Sequence, residues 1–102
     1  MISVDGSYEN GEFRYLRING HADPLICSAV SAIITGCCNA FLNPERFQIS
    51  LKSGNSYIIR NTKEPISQFD CIVLDTVLAQ LATIANQYTD ELQFHVTWKK
   101  GQ

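Results

Sequence analysis

The stretch Gly20-His21-Ala22-Asp23-Pro24-Leu25-Ile26-Cys27-Ser28-Ala29-Val30-Ser31 marks the point where one kind of structure stops and another starts. Upstream, residues 13–20 alternate as a strand, with Arg14, Leu16 and Ile18 on one face and Phe13, Tyr15 and Arg17 on the other. Downstream, Ile26, Val30, Ile33, Cys37 and Phe41 recur at helical spacing and mark a buried stripe. Asp23 and Pro24 set the boundary between them. An aspartate ahead of a helix accepts from the amides of the first turn, and a proline in the first helical position gives up an N–H that has no intrahelical partner anyway. A helix is therefore expected over residues 24–42, ended by Asn43-Pro44.

Working outward, Ile2 and Val4 alternate with polar neighbours, so residues 1–8 read as a strand. Asn10-Gly11 joins it to the next strand, because both residues accept the left-handed conformation that a two-residue hairpin turn requires. Phe47–Lys52 and Tyr57–Asn61 read as a second strand pair around Ser53-Gly54-Asn55. Ser67, with Asp70 three residues on, gives a capping-box-like start to a second helix over residues 67–88. Its expected core stripe is Phe69, Val73, Val77, Leu81, Ile84 and Tyr88. A last strand alternates Leu92, Phe94, Val96 and Trp98 with Gln93, His95 and Thr97. The order β-β-α-β-β-α-β predicts one α+β domain over residues 1–102, with antiparallel pairing at the short turns.

Composition removes several functional classes. The 102 residues carry a formal charge of −2, and the eight basic residues are scattered, so no concentrated basic face predicts direct nucleic-acid binding. No uninterrupted apolar run reaches the roughly 18 residues needed to cross a bilayer. The longest candidate, Pro24 to Leu42, is broken by Ser28, Ser31, Thr35, Gly36 and Asn39, so no membrane partner is expected. Met1-Ile2-Ser3-Val4-Asp5 lacks the basic start and apolar centre of a signal peptide, and a cytoplasmic location is expected. There Cys27, Cys37, Cys38 and Cys71 should be reduced thiols. They form no CxxC pair, so neither a metal nor another cofactor is expected.

His21 and Cys27 flank the helix start. A sulfur in a first turn lies among backbone amides without intrahelical partners, and the positive end of the helix dipole favours an anion there. A histidine just before the cap can take the thiol proton or pair with the thiolate, and the same amides can hold a tetrahedral oxyanion. The plain alternative is that Cys27 is a small core residue and His21 a surface one.

Gly20-His21-Ala22 followed by Cys27-Ser28-Ala29-Val30-Ser31 resembles the signature of the ribosomal-processing cysteine protease (Prp) family. That signature is Gly-His-Ala, a variable loop, then a cysteine among small residues with a serine one turn later. Length and element order fit over nearly the whole chain, while the specific motif is confined to residues 20–31. The resemblance implies two helices packed between a two-stranded and a three-stranded antiparallel sheet, in a homodimer. It implies an endopeptidase that removes an N-terminal extension from a large-subunit ribosomal protein, cleaving after bulky aromatic residues. The partner would be that N-terminal peptide. By position His21 would be the general base and Cys27 the nucleophile. Ser31 would hydrogen-bond within the site or leave room for substrate.

Two features depart from the family pattern. Only five residues separate His21 from Cys27, where family members carry a long, mobile, glycine-containing loop. The family also favours an aspartate just before the nucleophile. Asp23 stands four residues before Cys27, and helix capping accounts for it, with a catalytic or substrate-binding role as the alternative. The short loop motivates a second function, a non-catalytic ribosome-associated or assembly module on the same scaffold. A ferredoxin-like ligand-binding domain is a third. Elsewhere, His95 is expected at the surface, Cys37 in the core, and Cys38 too far along the helix to join Cys27. Phe13, Tyr15, Tyr57 and Trp98 are expected mostly in the core, with one or two lining a peptide groove.

Overall fold

A computed structural model of the chain describes residues 1–100. Strands β1 (Ile2–Glu9) and β2 (Glu12–Gly20) pair antiparallel through a turn at Asn10 (φ 55°) and Gly11 (φ 76°), both left-handed as the Asn-Gly pair predicts. The pairing carries a bulge. Ser7 faces Tyr15 but Tyr8 faces Phe13, so β2 has one extra residue at this point. The bulge inverts the parity of the strand's first residues, and Phe13 is buried beside Leu16 and Ile18 while Arg14 is not. Simple alternation places Phe13 on the opposite face from Leu16 and Ile18; the bulge reverses that placement.

Helix α1 (Pro24–Ala40) carries the chain from β2 to the sheet edge, where a 3₁₀ turn (Pro44–Arg46) leads into β3 (Phe47–Lys52) and β4 (Asn55–Arg60). Helix α2 (Gln68–Gln87) then crosses to the opposite edge and delivers β5 (Leu92–Lys99). The element order is the one expected, but the strands form one five-stranded sheet, ordered β3-β4-β2-β1-β5, and not two. Leu16 opposite Ile58 joins the two hairpins into that sheet. The pairing is also mixed: β5 lies parallel to β1, with Ile2 opposite Leu92 and Tyr8 opposite Trp98. Short turns fix direction only for the strands they join, and β5 arrives through a helix, which permits a parallel neighbour. The helices are not between two sheets. They cover one face, and the other face presents exposed Asp5, Arg17, Gln48 and His95.

The core joins Ile2, Val4, Leu16, Ile18 and Ile58 of the sheet to Ile26, Val30, Ile34 and Cys37 of α1 and Leu74, Val77 and Leu81 of α2. Each fully buried aliphatic side chain contributes roughly 1.5–3 kcal/mol. Both helices are rotated slightly from the expected stripes. Ile34, not Ile33, is buried in α1, and in α2 Phe69 and Tyr88 are exposed. The apolar residues are numerous enough to support either stripe, and contact with the sheet selects between them. Helix α2 is long and apolar enough to cross a membrane by length and composition, yet its apolar face is spent on α1, β5 and the sheet.

Ser67 caps α2 by accepting from the Asp70 N–H at 3.2 Å. The Asp70 carboxylate does not complete a capping box. It is fully buried and accepts from the amides of Leu42 (2.8 Å) and Asn43 (3.1 Å), where the chain leaves α1. The start of one helix is thereby tied to the end of the other.

Burial pushes the Cys37 thiol up to about 12, with help from the neighbouring Cys38 and Asp70 charges, and burial pushes Cys38 up to about 11. An unfolded thiol titrates near ~8.5. The unfolded chain therefore loses these protons first, and stability falls as pH rises above that value toward the folded-state values. The melting temperature under reducing conditions should drop between pH 9 and pH 11, and the slope should be shallower in Cys37→Ala. An unchanged slope in that variant contradicts the assignment.

Candidate active site

Asp23 caps α1 as expected, its Oδ1 accepting from the Leu25 amide at 2.9 Å. Its own N–H donates to Glu91 Oε2 at 2.8 Å, which fastens the β2–α1 connection to the loop before β5. Cys27 occupies the fourth helical position, and its N–H closes the first helical hydrogen bond onto Asp23 O at 3.0 Å. Because side chains on a helix lean toward its N-terminus, the sulfur points back at the connection. There Sγ receives the Ala22 N–H at 3.3 Å and lies 3.4 Å from the Ala22 carbonyl oxygen, to which the thiol donates. Both backbone poles of one residue grip the thiol, one suited to the thiolate and one to the protonated form.

The first-turn amides are less available than the sequence suggests. Pro24 has none, that of Leu25 is taken by the cap, and that of Cys27 is taken by Asp23. Among the described residues, the Ile26 amide is the first-turn donor left without a hydrogen-bond acceptor.

His21 is exposed and, among the described residues, makes no hydrogen bond to Cys27. Its ring instead lies over Gly54 in the β3–β4 turn. His21, Cys27 and Ser31 nonetheless share one groove of about 240 Å³. Its floor includes Ile18, Val30 and Ile34, and one wall is the polar face of α1, where Ser31 and Thr35 follow Cys27 at four-residue intervals. The facing wall is the end of the β3–β4 hairpin, with Leu51, Lys52 and Asn55. Asp23 does not line this groove.

The model of the family described as Cysteine protease Prp matches residues 1–93. The chain belongs to this family. Among solved structures it is similar to the essential ribosomal processing protease Prp from S. aureus in complex with a covalently linked product peptide. That pair is 22% identical, with 95% of this chain and all of that one covered, at a TM-score of 0.79. The same S. aureus protein in complex with a substrate peptide gives 23% identity, 95% and 100% coverage and a TM-score of 0.78. SMU.848 from Streptococcus mutans gives 16% identity, 97% and 96% coverage and a TM-score of 0.78. At these identities the likeness establishes a shared Prp fold. No curated protein matches the chain at a significant level.

The structure thus brings together His21, Cys27 and Ser31 of the Prp-like motif and leaves Asp23 at the helix cap. Other expectations divide. Cys37 is buried, and His95 is exposed, with Nε2 3.3 Å from Thr97 Oγ1. None of Phe13, Tyr15, Tyr57 and Trp98 lines the groove, and Trp98 stacks on Tyr8 at 4.3 Å while remaining 66% exposed. Sequence reasoning missed Thr35, Lys52, Gly54 and Asn55. Thr35 was reachable by extending the Cys27–Ser31 interval one more turn. The hairpin residues carry no local signal of their meeting with α1, which only tertiary packing creates.

Proposed function

We propose that the chain is an endopeptidase that removes the N-terminal extension of a large-subunit ribosomal protein, with Cys27 as nucleophile and His21 as general base. The observation that carries this reading is the shared groove, which Cys27, His21 and the hydroxyl-bearing Ser31 line together. The matching structures of S. aureus Prp with substrate and product peptides support a peptide as the ligand class.

In the first half-reaction the thiol proton passes to the His21 imidazole and Sγ attacks the scissile carbonyl carbon. The oxyanion draws on backbone amides, for which the unclaimed Ile26 N–H is the local candidate. As the C–N bond breaks, the imidazolium returns its proton to the leaving amine, and a thioester remains on Cys27. Water, deprotonated by His21, then attacks the thioester, releasing the carboxylate product and the thiol. Ser31 supports the substrate along α1, and Asp23 acts through the helix cap. No step calls on a metal or other cofactor.

The four free thiols, one of them exposed at Cys71, suit the reducing cytoplasm. An apolar groove between the outer faces of α1 and α2, lined by Ile33, Gly36, Ile72 and Val73, suits the homodimer that the family resemblance implies. A second reading, a non-catalytic ribosome-associated module, is favoured by one observation: His21 rests on the β3–β4 turn and not on Cys27. A synthetic peptide spanning the N-terminus of the ribosomal protein from the same genome separates the two. Cleavage at a single bond after an aromatic residue is expected, and an intact peptide after prolonged incubation under reducing conditions would favour the second reading.

A further inference from the structure

We propose that the β3–β4 turn, through Gly54, is the positioning element for His21. The proposal rests on the reading of His21 as the base and identifies what holds it. His21 follows the last residue of β2 and precedes the cap of α1, so neither element's hydrogen-bond ladder fixes it. Gly54 fixes it from both sides of the peptide. Its carbonyl accepts from the Gly20 N–H at 3.0 Å, pinning the backbone immediately before the histidine. Its bare α-carbon faces the imidazole: a Cβ there would lie 2.7 Å from Cε1 and 3.3 Å from Cδ2, with Nε2 nearer still. A glycine is thus required for the ring's seat as well as for the backbone, whose φ is +77°.

Nucleophile and base are consequently held by different elements. The Ala22 backbone holds the sulfur at the start of α1, and the turn holds the ring across the groove mouth. Lys52 and Asn55, which flank the same turn, line the groove with Gly54, so a peptide lying there touches the element on which the base sits. The contact explains how a five-residue connection serves without a long loop: the hairpin opposite supplies the support.

Gly11 provides the matched control. It has φ +76° in the β1–β2 turn, and a Cβ there would meet nothing within 4 Å. Gly11→Ala therefore imposes the same backbone strain as Gly54→Ala without touching a histidine. The readout is the rate of Cys27 alkylation by iodoacetamide across pH, resolved from the other thiols by tandem mass spectrometry. His21→Ala is expected to slow the reaction at pH 7 about tenfold, because the group that takes the thiol proton is gone. Gly54→Ala should slow it by a similar factor and give a pH profile of the His21→Ala shape, while Gly11→Ala should match the parent. The double variant His21→Ala/Gly54→Ala should be no slower than His21→Ala alone, since contacts that act through one group are not additive.

If Gly54→Ala does not fold, Gly54→Asn takes its place, because asparagine tolerates positive φ while still carrying a Cβ. A Gly54 variant that alkylates like Gly11→Ala, or penalties that multiply in the double variant, would overturn the proposal. A His21→Ala profile identical to the parent would instead overturn His21 as the base, whatever Gly54 does.

Discussion

Cys27→Ala is expected to abolish cleavage of the ribosomal-protein peptide, lowering the rate by at least about 10⁴-fold, the scale seen when a covalent nucleophile is removed. No other thiol can replace it. Cys37 is buried, and Cys38 stands roughly three turns along the same helix. Cys71 is exposed near the start of α2, where partial burial and the Asp75 carboxylate push its pKa above the ordinary thiol value and disfavour the thiolate, and it is absent from the groove. The variant should remain folded. Among the described residues the hydrogen bonds of Sγ are to the Ala22 backbone alone, and the side chain is only partly buried against the core. Loss of activity with a melting temperature within a few degrees of the parent therefore separates chemistry from stability. Cleavage above roughly 1% of the parent rate in this variant would remove Cys27 from the mechanism.

Asp70→Ala is expected to cost about 3 kcal/mol of stability, from two part-buried hydrogen bonds to a fully buried carboxylate at roughly 1–3 kcal/mol each. For a domain near 100 residues that corresponds to a fall of roughly 12–24 °C in melting temperature. The effect arises because the carboxylate closes the exit of α1 onto the entry of α2, and both helices enclose the core through Val30, Ile34, Leu74 and Leu81. Asp70→Asn should cost less, since its amide oxygen still accepts one of the two N–H groups. Denaturant titration checks both variants. A loss below about 1 kcal/mol for Asp70→Ala would mean that water satisfies the Leu42 and Asn43 amides equally well.

Local chemistry was legible in the sequence wherever a few adjacent residues decide it. Asn10-Gly11 gave the hairpin, Asp23-Pro24 the start of α1, and Ser67 the start of α2, because each acts on backbone groups within one turn of itself. The motif residues His21, Cys27 and Ser31 were likewise readable, and they do meet in one groove. What escaped depends on contacts between distant segments. The bulge opposite Tyr8 inverted the face of Phe13, which alternation cannot register. A single sheet with β5 parallel to β1 follows from where α2 delivers the chain, not from any turn. Asp70 reads locally as half of a capping box and acts instead on the end of the other helix, 28 residues away from Leu42. Gly54 reads as an ordinary turn glycine until the ring of His21 is found against it.

The central claim is that Cys27 attacks a peptide carbonyl within the groove between α1 and the β3–β4 turn. Its most direct measurement uses the ribosomal-protein peptide truncated at the cleaved residue and ending in a thiol-reactive vinyl sulfone, followed by intact and tandem mass spectrometry. The predicted result is one equivalent of peptide bound covalently at Cys27, with exposed Cys71 unmodified under the same conditions. Modification of Cys71 in preference to Cys27, or no adduct at Cys27, would contradict it.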